Sequence, residues 1–363
     1  MRIGWLVPGG LGRITGGTIY DRQLVVGLRG LGVRVDELPL RARSGYARAV
    51  LDNLEAWPGG AWDVLIEDEL GHPALFARNA RAPGPVVALV HNLRSAGREA
   101  RDVGASLARA IEQRYLRDVA GIVAVCDATL TDVHALLGEG TPAPPTLVLR
   151  AGRDHAPSIA AAELQRRVRG PGDRRPLRLL AVAAVAPHKG LHRLAEMLHA
   201  LDDAPVTLEV AGSLDVAPDY ARALVAHADA RVRFLGQLRG QALWDAYLRA
   251  DVAVLPSDRE AYPLSCIEAM GFGLPVLVTN RGGAGELVTD GHDGFLLAPD
   301  DTRAWRDALR ALALDDSRRH ALARAALARH GRLGTWHDAA VTLTAFLETL
   351  RPPARGGAHP PGE

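Results

Sequence analysis

Two glutamates, Glu260 and Glu268, follow a short apolar strand, Val252–Leu255, and a helix is predicted to begin near Leu264. Glu260 falls on the loop after the strand, and Glu268 falls on the start of the helix. In α/β sheets, ligands bind at the carboxyl ends of the strands. A carboxylate at such a place can accept paired hydrogen bonds from the vicinal hydroxyls of a sugar or ribose, and a helix N-terminus beside it favours a phosphate.

The same residues also allow a purely structural interpretation. Ser265–Glu268 fits the pattern of a capping box, in which Glu268 would only satisfy backbone N–H groups at the start of its helix. Glu260 could then be a solvated loop residue. Taken alone, this short stretch leaves both interpretations open.

The chain opens with a βαβ unit. Arg2–Val7 is predicted as a strand, Pro8–Gly17 as a glycine-rich loop, Thr18–Leu31 as a helix and Val33–Leu38 as the next strand. Such a loop lets the backbone approach a phosphate or a sugar. Its glycines do not fit G-x-G-x-x-G, although an acidic residue at Asp36 or Glu37 leaves a dinucleotide site open.

Further along the first half, the strand Val86–Val90 ends at His91, which places an imidazole at the carboxyl edge of the sheet. A histidine there can be structural or catalytic, and both alternatives remain. Asp127 is predicted to be the N-cap of a helix that extends to Leu137.

A second βα series starts at Leu177. The strand Leu179–Val185 leads to a short loop, and Lys189 lies just before the helix Leu191–Leu201. That position suits a pyrophosphate, although an ordinary surface lysine is the alternative. The chain is therefore predicted to be an α/β protein with two Rossmann-like parallel-sheet domains facing a central cleft.

The prolines and arginines between 141 and 176 mark the predicted domain junction. We place an N-terminal domain at 1–160 and a C-terminal domain at 161–334, followed by an amphipathic helix at 335–352. The Pro/Gly-rich segment 353–363 is predicted to be disordered.

Composition narrows the classes of function. The 363 residues include 43 Lys and Arg against 42 Asp and Glu, so nothing indicates a nucleic-acid partner. Two cysteines without a CxxC motif favour a reduced protein. The sequence shows no signal peptide and no stretch long enough to span a bilayer, which predicts a cytoplasmic protein. Peripheral contact with a membrane surface stays compatible with this composition.

At this point the C-terminal half resembles the family-4 retaining glycosyltransferases of the GT-B fold. Their E-x7-E pattern matches Glu260 to Glu268, and EAM-x-x-G-x-PV follows through Val276. Gly282-Gly283 with Glu286 and the DG-x-x-GFLL segment at 290–297 also match. The N-terminal half is similar through Gly16-Gly17, His91 and Ile111-Glu112. The late helix beginning near Trp336 resembles the segment that crosses back onto the first domain.

The resemblance implies a role for each matching residue. Glu268 would bind the ribose hydroxyls of a nucleotide-diphosphate sugar, Lys189 would neutralise its diphosphate, and Glu260 would hold sugar hydroxyls. His91 would face the transferring sugar. The remaining donor-binding residues implied are Gly16 and Gly17 over the diphosphate, Leu238 near the base, and the loop residues Ala261, Tyr262, Leu264 and Ser265.

The implied reaction is transfer of a hexosyl group, with retention, from a nucleotide-sugar donor to a hydroxyl of a small-molecule, glycan or lipid acceptor. Front-face attack would leave the acceptor proton on a leaving-phosphate oxygen. The resemblance implies no cofactor beyond the donor and no obligatory metal, and the absence of a DxD carboxylate pair near these loops agrees with that. The sequence leaves the nucleotide base, the sugar and the acceptor open.

Two departures from the family keep alternatives open. Ala184 stands where the family has an arginine five residues before the lysine, with His188 as a candidate replacement, and Pro263 replaces a glycine. A catalytically weak nucleotide-sugar-binding accessory protein is therefore the second hypothesis. A nicotinamide-dependent oxidoreductase, motivated by the glycine loop and Asp36, is the third.

Overall fold

The computed structural model describes residues 1–12, 14–40, 46–95, 103–138, 140, 142–166, 175–199, 201 and 204–351. The chain divides into two compact units, one of Met1–Leu149 with His337–Glu363 and one of Arg150–Trp336. The sequence-based division at 160/161 lies inside the second unit, and the tail at 353–363 lies outside the described residues. Within the described part of the chain, no helix is long and apolar enough to cross a bilayer.

The first unit is built on six parallel strands in the order β2-β1-β3-β4-β5-β6. Strands β3 and β4 are buried along their whole length, as expected for a parallel sheet covered on both faces. The strands are β1 (Arg2–Pro8), β2 (Arg34–Leu40), β3 (Val64–Asp68), β4 (Val86–Val90), β5 (Gly121–Ala124) and β6 (Thr146–Val148).

The helices of this unit are α1 (Gly16–Gly30), α2 (Tyr46–Val50), α3 (His72–Leu75), α4 (Val103–Asp118) and α5 (Asp127–Leu137). Two predicted helix starts were wrong. Helix α1 begins at Gly16 because Thr15 is the N-cap and forms a capping box with Thr18. The N-cap of α5 is Cys126, whose sulfur accepts the Thr129 N–H, so Asp127 is already helical.

The second unit also has six parallel strands, in the order β12-β11-β10-β7-β8-β9. They are β7 (Leu177–Val182), β8 (Val206–Ala211), β9 (Val232–Gly236), β10 (Val252–Leu255), β11 (Val276–Thr279) and β12 (Gly294–Leu297). Its helices are α6 (Ala161–Arg166), α7 (Leu191–His199), α8 (Pro218–Ala226), α9 (Gln241–Arg249), α10 (Leu264–Gly271), α11 (Thr302–Leu314) and α12 (Asp316–Arg332).

The last helix, α13 (Trp336–Leu350), packs on strand β5 of the first unit. A Cβ atom added to Gly121 would lie 2.7 Å from Leu350 Cδ1 and 3.2 Å from the Phe346 ring, so the absence of a side chain on the strand admits the helix. The two α/β units with parallel sheets confirm the predicted fold class.

Candidate active site

The strand order of the second unit reverses between the neighbouring strands β7 and β10, which is the point where α/β sheets form ligand crevices. Lys189 follows β7 in a single turn of 3₁₀ helix, and Glu260 follows β10. The Lys189 Nζ atom lies 2.7 Å from Glu260 Oε1. The fold therefore brings a cation and a carboxylate together at the switch point, from places 71 residues apart in the chain.

Glu260 is held by its side chain and by its backbone. The Ser257 hydroxyl donates to Glu260 Oε1 at 2.5 Å, the same oxygen that Lys189 contacts. Among the described residues, none donates a hydrogen bond to Oε2. The Glu260 N–H donates to the Arg281 carbonyl at 3.1 Å, and the Gly283 N–H donates to the Glu260 carbonyl at 2.9 Å. The carboxylate is thus fixed in place with one oxygen left for a ligand.

Two glycines allow the loops at this site to touch. Gly282 has a φ of 97°, and a Cβ atom there would lie 2.0 Å from the Glu260 carbonyl oxygen. Gly190 has a φ of 66°, and its Cβ atom would lie 2.1 Å from the Pro256 carbonyl oxygen. At both positions a side chain is excluded, because the backbone conformation disfavours one and because there is no space for one. Gly190 consequently sets Lys189 against the end of β10.

Glu268 lies on α10, 6% exposed, and both of its carboxylate oxygens accept hydrogen bonds. The Tyr247 hydroxyl donates to Oε2 at 2.6 Å, and His155 Nε2 donates to Oε1 at 3.1 Å. His155 Nδ1 lies 3.3 Å from the Trp336 indole nitrogen and 3.2 Å from the Gly152 carbonyl oxygen, so both ring nitrogens of His155 have neighbours that hold the ring in place. The capping-box alternative is wrong, because the N-cap of α10 is Pro263 and no side chain caps this helix.

The other predicted donor-binding residues of this unit surround the start of α10. Tyr262 and Leu264 are buried, at 9% and 8% exposure, while Ala261 and Ser265 are half-buried. Leu264 is the first helical residue, and the first N–H groups of a helix have no partner within it. Leu238 is half-buried on the loop between β9 and α9.

His188 does not replace the positive charge of the arginine that the family has at the position of Ala184. Burial lowers the pKa of His188, and the neighbouring Lys189 charge lowers it further, so the imidazole is neutral near neutral pH. Arg193 is also committed, since it donates to the Pro256 carbonyl at 2.9 Å and pairs with Asp258. Lys189 supplies the positive charge that faces Glu260.

In the first unit, His91 at the end of β4 pairs with Asp21 of α1. The His91 Nε2 atom lies 2.9 Å from Oδ1 of Asp21, whose carboxylate is fully buried. Burial by itself lowers the pKa of His91, but the charge of Asp21 and its hydrogen bond outweigh burial, so the pKa lies above its usual value. Asp21, Asp68 and His91 also offer ligand atoms within 4.8 Å of one another, close enough to hold a metal ion.

Gly17 touches the same imidazole. A Cβ atom on Gly17 would lie 3.3 Å from His91 Cδ2, whereas one on Gly16 would meet no described atom within 4 Å. Both glycines form the first turn of α1 instead of a preceding loop, so their N–H groups belong to a helix N-terminus. Asp36, the anchor of the dinucleotide hypothesis, accepts hydrogen bonds from the Trp62 indole at 2.8 Å and from Arg2 at 2.7 Å.

Sequence reasoning missed three residues that position the glutamates, namely Ser257, Tyr247 and His155. It also overlooked a compositional signal. Lys189 is the only lysine in the chain, and every other residue among the 43 Lys and Arg is an arginine. A single lysine in an arginine-rich chain indicates a functional position, because lysine and arginine are not interchangeable at sites that bind phosphate.

Comparisons with known proteins agree with this geometry. The family model of the glycosyl transferases group 1 matches residues 165–329. A D-inositol 3-phosphate glycosyltransferase of Xylanimonas cellulosilytica is 32% identical over 305 residues, which cover 81% of this chain and 69% of that protein. The chain belongs to the glycosyl transferases group 1 family. A Mycobacterium tuberculosis glycogen synthase is 32% identical over 286 residues, which cover 76% of this chain. This chain spans 65% of the length of that glycogen synthase.

Solved structures share the fold of this glycosyl transferases group 1 chain. The sucrose-phosphate synthase of Thermosynechococcus elongatus matches with a TM-score of 0.76 at 19% identity, covering 96% of this chain and 98% of that one. The Anabaena protein HepE, solved in complex with UDP and glucose, matches with a TM-score of 0.72 at 17% identity over 96% and 100% of the two chains.

Proposed function

We propose that this protein is a retaining glycosyltransferase that moves a hexosyl group from a nucleotide-diphosphate sugar to a hydroxyl acceptor without an obligatory metal. The observation that carries the proposal is the contact between Lys189 and Glu260 at the switch point of the second sheet. A cation beside a carboxylate meets both halves of such a donor, because the diphosphate needs positive charge and the sugar hydroxyls need an acceptor.

The donor roles follow from the free atoms of each residue. Glu260 keeps Oε2 for a sugar hydroxyl while Ser257 and Lys189 hold Oε1. Each oxygen of Glu268 uses one lone pair on Tyr247 or His155 and keeps capacity for a vicinal diol of ribose. The first turn of α10, at Leu264 and Ser265, adds N–H groups and the positive end of its helix dipole.

Lys189 has the central electrostatic role. Negative charge grows on the diphosphate as the glycosidic bond breaks, and a positioned ammonium stabilises that charge more strongly in the transition state than in the bound donor. Glu260 shares this ammonium in the free protein, so the donor would take part of an existing ion pair. The acceptor proton would transfer to an oxygen of the leaving phosphate. The reaction therefore requires no side chain near Lys189 to act as a general base.

For the first unit, we assign Gly16, Gly17 and His91 to the diphosphate and the transferred sugar. The pKa of His91 is raised by Asp21, which favours the protonated, positively charged form of its ring. Asp21 fixes the ring through Nε2. UDP, which HepE binds, is the first nucleotide to test, and inositol phosphates and glucans are the first acceptors, following the names of the relatives.

The single lysine makes donor binding directly observable. Reductive methylation with ¹³C-formaldehyde keeps the ammonium charge and labels only Lys189 and the N-terminal amine, and Lys189→Arg identifies the lysine signal. Titration with UDP-, GDP-, ADP- and TDP-sugars should shift the Lys189 resonance with one nucleotide and leave the N-terminal resonance in place. A folded protein in which no donor moves that resonance would refute the assignment.

Turnover tests the catalytic part separately. Glu260→Gln should lose transfer or donor hydrolysis by roughly 10²-fold, the scale of one key transition-state contact, while the lysine signal still reports binding. Glu163→Gln, at a glutamate of α6 that pairs with Arg166 on the same helix, is the matched control and should keep full activity.

A second candidate is an accessory protein that binds the donor without turnover. It is favoured by Ala184, which offers no cation where the family has an arginine, and by the neutral imidazole of His188. Any donor hydrolysis above the Glu260→Gln background would exclude this candidate.

A further inference from the structure

A cavity of about 370 Å³ lies in the second unit, between helix α12 and the segment that joins β11 to β12. We refer to it as the α12 cavity. Its volume falls within the range of sites that hold small molecules, about 300–1,000 Å³. None of its lining residues belongs to those assigned to the donor or to the transferred sugar. The polar residues that line it are Thr289, His292 and Asp293 of the segment and Arg324, Arg329 and Arg332 of the helix.

Helix α12 contributes one face to the cavity. The residues of this face recur at intervals of three and four, which places them on the same side of a helix. Alanine at three of the positions leaves room beside the helix, and the arginine side chains border that room. The helical residues that line the cavity are Ala321, Arg324, Ala325, Ala328, Arg329 and Arg332.

The α12 cavity carries an excess of positive charge. Its three arginines stay charged at any pH at which a protein is folded. Asp293 is the one carboxylate among its lining residues, all of which the structure describes. This residue is 1% exposed and accepts the Thr289 N–H at 2.7 Å through Oδ1. Three guanidinium groups near a single carboxylate repel one another, and a bound anion would offset that repulsion.

The two exposed arginines of the cavity have no partner of opposite charge. Arg319, on the same helix, pairs with Asp316. Within the part of the chain that the structure describes, neither Arg324 nor Arg332 forms a hydrogen bond or an ion pair. Their guanidinium groups therefore remain available to a ligand.

Arg329 is held by the backbone instead of by a carboxylate. Its Nη2 atom donates to the Glu286 carbonyl oxygen at 2.8 Å. Its Nε atom is buried and has no hydrogen-bond partner among the described residues. The guanidinium group is thus fixed beside the cavity while its charge stays uncompensated.

A phosphate monoester fits this arrangement better than a carboxylate does. Near neutral pH such a group carries almost two negative charges and offers three acceptor oxygens. Guanidinium groups bind phosphate through paired hydrogen bonds, which gives arginine a geometric match that a lone ammonium lacks. A carboxylate, with one charge, would leave most of the repulsion among the three arginines in place.

We propose that the α12 cavity binds a phosphate monoester at a site separate from the donor site. Arg324 and Arg332 would hold the phosphate group, and Arg329 would add its charge. Free polyol or sugar phosphates carry this group, and so does the headgroup of phosphatidic acid, so a ligand in solution and one in a membrane share the chemistry. The site goes beyond the proposed function and does not depend on sugar transfer.

Calorimetric titration with glycerol 3-phosphate tests the site. The unaltered protein should bind it, and the double variant Arg324→Gln/Arg332→Gln should bind roughly a hundredfold more weakly, at about tenfold for each lost hydrogen bond to a charged group. Both side chains are exposed, so the fold should be unaffected. The control Arg222→Gln/Arg303→Gln removes the same charge from exposed arginines of α8 and α11 and should bind like the unaltered protein. Glycerol, which lacks the phosphate, should not bind.

Ala328→Glu tests the cavity without removing an arginine. The new carboxylate would stand four residues from both Arg324 and Arg332, so it should pair with them and occupy the space between them. We expect this variant to raise the Tm and to abolish the binding of glycerol 3-phosphate. Unchanged affinity in Ala328→Glu would contradict the assignment.

Lys189→Gln separates the α12 cavity from the donor site. This variant should keep its affinity for glycerol 3-phosphate, because the lysine does not line the cavity. Binding that is lost in Lys189→Gln and kept in the arginine double variant would place the phosphate at the donor site. That outcome would overturn the α12 site and leave the proposed function standing, whereas loss of donor binding alone would affect only the proposed function.

Phosphatidylcholine vesicles that contain phosphatidic acid distinguish the two sources of the phosphate. Binding of glycerol 3-phosphate that requires Arg324 and Arg332 would support a ligand in solution. Binding to the vesicles alone, with the same requirement, would support the lipid headgroup as the occupant. Binding of neither, or binding that persists unchanged in the arginine double variant, would overturn the proposal.

Discussion

The Tyr247 hydroxyl donates a 2.6 Å hydrogen bond to Oε2 of Glu268, and both residues belong to the second unit. Tyr247 is fully buried, and burial together with the Glu268 charge raises the pKa of its hydroxyl well above the usual value. The phenol therefore stays protonated at every pH of interest. It fixes the orientation of the carboxylate plane, so Glu268 presents its remaining lone pairs in one direction.

Tyr247→Phe removes this hydrogen bond and leaves the ring in place. We expect the free energy of unfolding to fall by about 2 kcal/mol, the usual value for a hydrogen bond to a charged group. The KM for the donor should rise while kcat changes little, because Glu268 contacts the nucleotide in this proposal. Denaturant unfolding and donor titration measure the two effects.

Tyr220→Phe is the control for that substitution. The Tyr220 hydroxyl contacts His192 at 2.9 Å, and neither residue touches Glu268. Its removal should cost stability without changing donor affinity. An unchanged donor KM in Tyr247→Phe would show that Glu268 does not bind the nucleotide.

Gly17→Ala should disturb His91, whereas Gly16→Ala should not. The new methyl group at position 17 would lie 3.3 Å from the imidazole, so the ring must shift by a few tenths of an ångström, which disturbs its hydrogen bond to Asp21. We expect the pKa of His91 to fall toward its usual value and kcat to decrease. Because alanine favours helix over glycine by roughly 0.5–1 kcal/mol, Gly16→Ala should be neutral or stabilising. NMR titration of His91 in the two variants gives the comparison, and equal titration curves would contradict it.

Glu67 predicts a pH dependence of stability. Burial raises the pKa of this carboxyl from 4.5 to about 7, against the hydrogen bonds from Asn79 and Tyr115. Because the folded-state pKa is raised, its contribution is complete below pH 4.5 and is lost as the pH rises through 7. At about 1.4 kcal/mol per unit of pKa, the loss amounts to about 3 kcal/mol.

Glu67→Gln should remove that contribution, so the variant gains stability relative to the unaltered protein as the pH rises from 4.5 to 7. Denaturant unfolding at a series of pH values measures the difference. Glu163→Gln, at an intermediate position on α6, controls for the chemical change itself. A difference between Glu67→Gln and the unaltered protein that is constant with pH would contradict the shifted pKa.

The sequence predicted the architecture well because parallel strands buried on both faces are continuous apolar runs. The bounds of β4 and β10 match the predictions to the residue. Helix α8 was missed because Ala217, at its N-cap, offers no capping side chain. Pro218 at its first position and Asp219 in its first turn are residue types typical of a helix start, and the prediction overlooked them.

The residues of the candidate site also divide into those that the sequence predicted and those that it missed. Glu260 and Glu268 stand in one local pattern, and the strand-end positions of Lys189 and His91 follow from the order of the elements. Their partners cannot be found by spacing, since His155 lies 113 residues from Glu268 and Asp21 lies 70 residues from His91. Such contacts depend on how elements pack, which periodicity does not encode.

Gly282→Ala should separate the effect of backbone conformation from that of space at Glu260. Gly282 and Gly291 both have positive φ, of 97° and 71°, so alanine at either costs about 1–2 kcal/mol in backbone energy. A Cβ atom on Gly282 would also lie 2.0 Å from the Glu260 carbonyl oxygen, whereas one on Gly291 meets no described atom within 4 Å.

Gly282→Ala must therefore push the Glu260 loop away and should lose roughly 1–3 kcal/mol more than Gly291→Ala, the usual cost of overpacking. Donor turnover should fall in Gly282→Ala alone, because only there does the Glu260 carboxylate leave Lys189. The ¹³C signal of methylated Lys189 reports that separation without substrate. Equal stability and an equal lysine signal in the two variants would show that the contact between Gly282 and Glu260 does not hold the carboxylate in place.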